Sequence, residues 1–332
     1  MAHELYINEQ GNASMAYVGA APWHGLGQLL TPDSPIEVWA EQAGMNFSIN
    51  RAPVRFKPEN AGAKAKHIEV PGRVVLHRSD TDEPLGVTSS RYQVVQPSQI
   101  LEFFNDTAEM HGFTLETAGV MFRGQKYWAL ARTPYEYALP GQDIIKPYLL
   151  LATSCDGTMS TVARYVNTRV VCNNTIEIAL GEKGQQVRVT HKQKFDERLV
   201  KQELGLLEAA FEDQVVQIQS LANRTVTAQE AVDYFIKVLG NSDQPVEKQR
   251  NVGLLAKVHA LFDGGGIGAS LESYKGTAWG LVNAVTEYVD HQRGGSKDDG
   301  LDKDRRLESA WFYEGSALKR KAMNDALMLL AA

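Results

Sequence analysis

Residues 146–175 read KPYLLLATSCDGTMSTVARYVNTRVVCNNT, and this stretch decides the fold. Two apolar runs with strand-like composition flank Asp156-Gly157, a dipeptide that strongly favours a β-hairpin turn. The preceding stretch, TLETAGVMFRGQKYWALARTP, predicts a second hairpin that turns at residues 123–125. Residues 173–181 then change to helical spacing, with Asn173 or Asn174 as the N-cap. The order hairpin, hairpin, helix predicts a curved antiparallel sheet with one helix crossing it.

The N-terminal part of the chain mixes short helices and strands. The sequence predicts a helix capped by Ser34 and strands between residues 47 and 75 that turn at Pro71-Gly72. It also predicts a helix opened by Pro97, because proline is favoured in the first helical turn.

The C-terminal part is mostly helical. Apolar residues recur at helical spacing over residues 195–221, which predicts one long helix. Shorter helices are predicted at residues 228–239, 246–262, 270–293 and 317–330. The Gly-rich, charged joint RGGSKDDGLDKD before the last helix predicts a mobile connection.

The predicted class is therefore α+β, with three regions. Residues 1–112 form an N-terminal α+β region packed on the core, residues 113–194 form the central hairpins plus helix, and residues 195–332 form the helical C-terminal region.

Composition limits the cellular setting. The 43% apolar and 22% charged fractions are ordinary globular values. The sequence contains no run of about 18 apolar residues, so it predicts no membrane span. The N-terminus lacks the basic region and the apolar region that are typical of a secretory signal. The only cysteines are Cys155 and Cys172, which suits a reducing cytoplasm where both are small buried apolar side chains.

Charge is unevenly distributed. The net charge is −6, which argues against attraction of the whole surface to nucleic acid. Residues 120–194, however, contain ten Lys/Arg and five Asp/Glu, a balance of +5 that leaves −11 for the rest. The middle of the chain is the candidate for contact with a polyanion.

A sheet surface bearing cations and aromatic rings can follow a phosphate backbone and stack bases. Alternation in a strand places Lys126 and Trp128 on one face and Tyr127 on the other. The candidate phosphate contacts are Arg123, Lys126, Arg132, Arg164, Arg169, Arg188, Lys192 and Lys194, and the candidate stacking rings are Tyr127, Trp128 and Tyr165. Asn173 and Asn174 are helix-cap and turn residues or, alternatively, base readers. The alternative for the whole set is a solvated sheet face with its aromatic rings in the core.

Common enzyme motifs are absent. The sequence contains no GxxxxGK[ST], GxSxG, HExxH or paired CxxC. His24 in PWHGLG has no metal-ligand partner at a suitable spacing, so a structural turn anchored by Trp23 is favoured. Asp290 and His291 could form a dyad, but no nucleophile accompanies them. The sequence thus predicts no enzyme activity, no cofactor and no metal.

Several blocks together resemble a known family: PWHGLG, RYQVVQP, SCDGTMS, NTRVVCNNT and GTAWGLVNAVTEYVDHQR. They are similar to the "phage/plasmid-like protein" family, which is built on a domain of unknown function and occurs in bacteriophages, plasmids and bacterial genomes. The resemblance implies no established chemistry. The antiparallel β-β-β-then-helix order is also similar, at the level of fold alone, to single-strand annealing recombinases, which bind DNA strands in a basic groove without hydrolysing ATP.

These observations predict an ATP-independent single-stranded DNA-binding and annealing protein of phage or mobile-element origin. It would act in homologous recombination and self-associate into a ring or filament, with no membrane partner. The alternative is a phage-encoded protein that binds a host protein, or inhibits host defence, without nucleic acid. A third hypothesis is an enzyme that uses His24 or His291.

Overall fold

A computed structural model describes residues 13–19, 27–58, 66–169, 175–176, 186–205, 208–245, 248–294 and 302–331. The strands, in chain order, are β1 Met15–Val18, β2 Gln28–Leu30, β3 Ile49–Phe56, β4 Ile68–Arg78, β5 Pro84–Ser89, β6 Thr114–Met121, β7 Lys126–Arg132, β8 Tyr137–Leu139, β9 Asp143–Ser154, β10 Thr161–Arg169, β11 Thr175–Ile176 and β12 Val187–Val189. The helices are α1 Ile36–Gln42, α2 Pro97–His111, α3 Glu197–Gly205, α4 Glu208–Asn223, α5 Ala228–Leu239, α6 Val252–Ala260, α7 Ala278–Glu287, α8 Asp302–Phe312 and α9 Glu314–Met328.

The large sheet has the strand order β11-β10-β9-β7-β6-β1-β2, with β12 paired to β10 and β8 paired to β9. All of its pairs are antiparallel except β1 with β2. The two predicted hairpins are β6–β7 and β9–β10, and they lie side by side through the pairing of β7 with β9. The α+β class, the antiparallel sheet and the helical C-terminal region are confirmed.

Both faces of the large sheet are covered. Trp128, Leu150 and Val166 belong to a core that includes residues of α4–α9. Tyr127 and Leu151, which point the other way, belong to a core that includes residues of α1, α2, α3 and the small sheet. The alternation of faces is as predicted, but the expectation of an open cationic face is wrong because remote helices bury both sides.

A second, smaller sheet has the order β3-β4-β5. The predicted turn at Pro71-Gly72 is wrong, since β4 continues through both residues. Gly72 has a φ of 71°, and the register with β3 shifts between Pro53 and Arg55. The dipeptide therefore produces an irregularity inside one long strand instead of a reversal.

Several helix boundaries differ from the sequence prediction. Helix α1 is preceded by Pro35, with no side-chain cap, so Ser34 is not its N-cap. The one helix predicted over residues 195–221 is described as α3 and α4. The unpredicted helix α8 begins inside the segment expected to be a mobile joint. Residues 175–176, expected to be helical, form β11, while most of the predicted crossing helix lies outside the described residues.

The C-terminal helices form a layer around α7. Every residue of α7 is buried, including the polar Asn283, Thr286 and Glu287, and the other residues are apolar or small, as expected for a helix surrounded on all sides. The expected helix at residues 270–293 is shorter, because it begins only at Ala278, where Thr277 accepts a hydrogen bond from the Gly280 N–H. One π-helical turn, Tyr288–Gln292, extends it. None of the described helices combines the length and apolar character needed to cross a membrane.

Candidate functional site

Two of the three predicted stacking rings lie inside the protein. Tyr127 is 0% exposed and donates a hydrogen bond from its hydroxyl to the Val95 carbonyl. Trp128 is 1% exposed and packs edge-on against Trp311, with 4.9 Å between ring centroids. The prediction that these rings stack on bases is therefore wrong, because neither ring reaches the surface.

Two predicted phosphate contacts are also internal. Lys126 is 4% exposed, and its Nζ lies 2.9 Å from both Asp156 Oδ2 and Glu308 Oε1. Arg164 is 5% exposed and donates to the carbonyl of Trp311. Both assignments are wrong, since these cations join the sheet to helix α8.

Three more candidates, one exposed and two partly exposed, are already engaged with other residues of the protein. Arg123 forms an ion pair with Glu83 at 3.2 Å, and Arg132 lies 3.9 Å from Glu116. Tyr165 is half-buried and packs against Val215 of α4. These side chains stabilise the fold and do not form a continuous surface.

The remaining candidates divide into two groups. Asn173 and Asn174 lie outside the described residues, as do His24 and Cys172, and the side chain of Arg169 is likewise not described. Arg188, Lys192 and Lys194 are exposed and take part in no ion pair within the described part of the chain. They follow one another along β12 and the segment after it.

Of these three cations, Lys192 lines a half-open cleft of about 630 Å³. Three segments distant in sequence line it: the end of β5 and its continuation, the β9–β10 turn, and the segment after β12. The lining residues are Ser89, Arg91, Tyr92, Gly157, Thr158, Met159, Ser160, Thr190, His191 and Lys192. Arg91 is exposed and, like Lys192, forms no ion pair with any described residue.

The β9–β10 turn is held by its own polar side chains. Asp156 Oδ1 accepts hydrogen bonds from Thr158 N at 2.9 Å and Thr158 Oγ1 at 2.7 Å. Gly157 has a φ of 82°, a conformation that favours glycine. A Cβ on Gly86 would lie 2.8 Å from the Asp156 Cα, so glycine at that position lets β5 approach the turn. These features position the wall of the cleft formed by residues 157–160.

Tyr92 and His191 join the other two segments to that turn. Their rings stack with 4.3 Å between centroids, and the Tyr92 hydroxyl donates to the Ser154 carbonyl at 2.9 Å. His191 Nδ1 lies 2.8 Å from the Gln93 carbonyl, and Nε2 lies 3.1 Å from the Met159 carbonyl. Burial lowers the pKa of His191, although these two carbonyl groups oppose the shift. His191 therefore bridges all three segments.

Beneath the cleft, Lys126 neutralises two acidic groups. Burial alone would raise the pKa of Asp156, but hydrogen bonds from Thr158 and Lys126 outweigh it and lower that pKa. Burial alone would lower the pKa of Lys126, but its hydrogen bonds to Glu308 and Asp156 raise it. The Asp156 contribution to stability is therefore present above the unfolded pKa of about 3.9 and is lost as the pH falls through the folded value.

Replacing Lys126 with methionine should destabilise the protein by about 3 kcal/mol at pH 7, because two nearly buried carboxylates lose their counter-charge. The loss relative to wild type should shrink at lower pH, because without Lys126 the burial of Asp156 raises its pKa and protonation then removes its charge. Urea unfolding at pH 7 and at the lower pH measures this, with Lys126→Arg as the control that keeps the charge. An equal loss at both pH values would show that packing, and not charge, is responsible.

Sequence reasoning missed the contribution of residues 89–93. The block RYQVVQP stood out only as a resemblance, and Arg91 and Tyr92 lie outside the basic middle segment. No local pattern brings Arg91 and Lys192 to the same cleft, since about a hundred residues separate them in the chain. The possible dyad of Asp290 and His291 is a separate case. Asp290 is fully buried and forms an ion pair with Lys319 at 2.9 Å, and His291 is 8% exposed. The two residues therefore do not form an open site.

Cys155 illustrates a prediction that is confirmed. It is buried, and burial raises the pKa of its thiol to about 12, so it behaves as a small apolar side chain with no thiolate character at neutral pH.

The fold and the cleft define an α+β protein with a half-open cationic site at the end of a central hairpin. A family model described as "Domain of unknown function (DUF932)" matches residues 84–311, more than half of the chain. The chain belongs to this family. No curated protein and no solved structure matches it. The matched residues include all three segments that line the cleft.

Proposed function

We propose that the protein binds single-stranded DNA without ATP, with phosphates entering the cleft between Arg91 and Lys192. The observation that carries this proposal is that two exposed cations, unpaired within the described structure, face one cleft in a protein of net charge −6. Four hydroxyl side chains share that lining: Ser89, Thr158, Ser160 and Thr190. Arginine, lysine and hydroxyl groups are the usual side-chain contacts to phosphate oxygens.

A polymer fits the arrangement better than a single phosphate. Arg188 and Lys194 are exposed, lie within four residues of Lys192 in the chain and are outside the cleft lining, so they add cations that a small anion in the cleft would not use. A flexible single strand can turn its phosphates into a half-open cleft, whereas duplex DNA is stiff over about 150 base pairs and offers its phosphates on a rigid rod. The preferred ligand is therefore single-stranded.

Binding should depend strongly on salt. If Arg91, Arg188, Lys192 and Lys194 each neutralise one phosphate, log K should fall with log salt with a slope of about −3, at about 0.7 per phosphate. Mobility shift of labelled single-stranded and duplex oligonucleotides of equal length, from about 50 to 200 mM salt, tests this. Absence of single-strand binding at the lowest salt, or equal affinity for duplex, would refute the proposal.

Strand annealing by a ring or filament, in recombination of phage or mobile-element DNA, extends the same proposal. One cleft contacts few phosphates, and assembly of many copies along a strand would multiply those contacts. Sizing of the protein with and without oligonucleotide tests this extension. A monomer in both samples would refute assembly and leave the binding proposal standing.

A further inference from the structure

The small sheet carries a second exposed basic surface, which we call the β3–β4 ribbon, residues 51–57 and 66–73. These residues include five Arg/Lys and one acidic residue, Glu69. The cations are Arg51, Arg55, Lys57, Lys66 and Arg73, all exposed. A segment this basic in a chain of net charge −6 is complementary to a polyanion.

An apolar pair lies among these cations. Phe56 and Ile68 are directly opposite each other in the register of β3 and β4, and each is 50% exposed. Phe56 stands between Arg55 and Lys57 in the chain. An exposed ring flanked by cations is the pattern used for stacking a base while neighbouring phosphates are neutralised.

The ribbon leads to the cleft. Arg73 is paired in register with Ser89, which lines the cleft, and the Ser90 N–H donates to the Gly72 carbonyl at 3.0 Å. Arg51 Nη1 donates to the Ser90 carbonyl at 3.4 Å, just before Arg91. The residues from Val74 to Ile68 lie opposite only Pro53 to Phe56, three residues further along β3, so this part of the ribbon extends about 10 Å at about 3.3 Å per residue. A strand leaving the cleft on this side therefore passes along the ribbon.

We infer that the β3–β4 ribbon is a second contact for the same single strand, with Phe56 stacking on a base and the ribbon cations contacting phosphates. This inference rests on the proposed function, and it adds the part of the ligand that the cleft does not hold. The sequence does not predict these residues, because their positive charge lies outside the basic segment 120–194.

Fluorescence anisotropy with an oligothymidylate of about 20 nucleotides tests the inference. This length exceeds the roughly 4–16 nucleotides that one OB fold, a common single-strand-binding fold, covers. Phe56→Ala should weaken binding about 10-fold, because stacking of one base is lost. The same variant should leave the affinity for an abasic oligonucleotide of equal length unchanged, which a merely structural role would not do. Lys57→Glu/Lys66→Glu should weaken binding of both ligands and lower the salt slope by about 1.4.

The matched control is Val216→Ala, which removes an apolar side chain that is 61% exposed on α4; it should bind like wild type. Equal weakening of both ligands by Phe56→Ala overturns the stacking assignment. Wild-type affinity in both ribbon variants overturns the inference while the proposed function stands. If the wild-type protein binds no single strand at low salt, the proposed function itself fails.

Discussion

Replacing Lys319 with methionine should lower the free energy of unfolding by about 3–5 kcal/mol. Lys319 is 1% exposed and Asp290 is 0% exposed, with 2.9 Å between Nζ and Oδ1. The pair joins α9 to the π-helical turn that follows α7. Removal of the cation takes from a carboxylate that lies away from water one of the contacts that offset its desolvation.

Urea denaturation followed by far-UV circular dichroism measures this loss. The double variant Lys319→Met/Asp290→Asn should recover part of it, because a neutral amide replaces the buried carboxylate. Arg55→Met is the exposed control: its ion pair with Glu69, at 3.7 Å with both side chains more than half exposed, should contribute less than about 1 kcal/mol. A loss in Lys319→Met no larger than in this control would contradict the assignment.

Reversing both charges of the cleft, Arg91→Glu/Lys192→Glu, should weaken single-stranded DNA binding at least about 100-fold at low salt. Two charge-assisted contacts, at about 1.5–3 kcal/mol each, are lost, and two repulsions replace them. Both side chains are exposed and belong to no ion pair within the described residues, so the fold should keep its wild-type stability.

The matched control for that variant is Lys248→Glu/Arg250→Glu, which changes the net charge equally at two exposed positions between α5 and α6. Its affinity should fall only by the small amount that the general change in charge causes. If both double variants lose affinity equally, net charge and not the cleft governs binding. Thermal unfolding of both variants verifies that the loss is not one of folding.

The hairpins could be predicted because their signals are local. Asp156-Gly157 and the alternation around it fix the β9–β10 turn, and the faces assigned to Lys126 and Trp128 are those the structure has. Burial could not be predicted in the same way. Whether Trp128 faces water or Trp311 depends on helices that begin more than sixty residues later in the chain.

The cleft could not be predicted from the sequence for a related reason. The basic run predicts Lys192 as a phosphate contact, yet nothing near it in sequence indicates that Arg91 lines the same cleft. The stacked pair Tyr92 and His191 becomes visible only when β5 and β12 are brought to the same end of the central hairpin. Charge counting over one continuous segment also missed the β3–β4 ribbon, because its cations lie on two strands.

Hydrogen exchange measured by mass spectrometry, with and without saturating oligothymidylate, tests the location of the ligand most directly, since bound ligand slows exchange of the backbone amides that it covers or holds closed. We expect slower exchange together in peptides covering residues 89–93, 156–161 and 188–194, with the helices α5 and α9 unchanged. Slower exchange confined to other segments, or no change under conditions where the oligonucleotide is bound, would contradict a cleft-centred site.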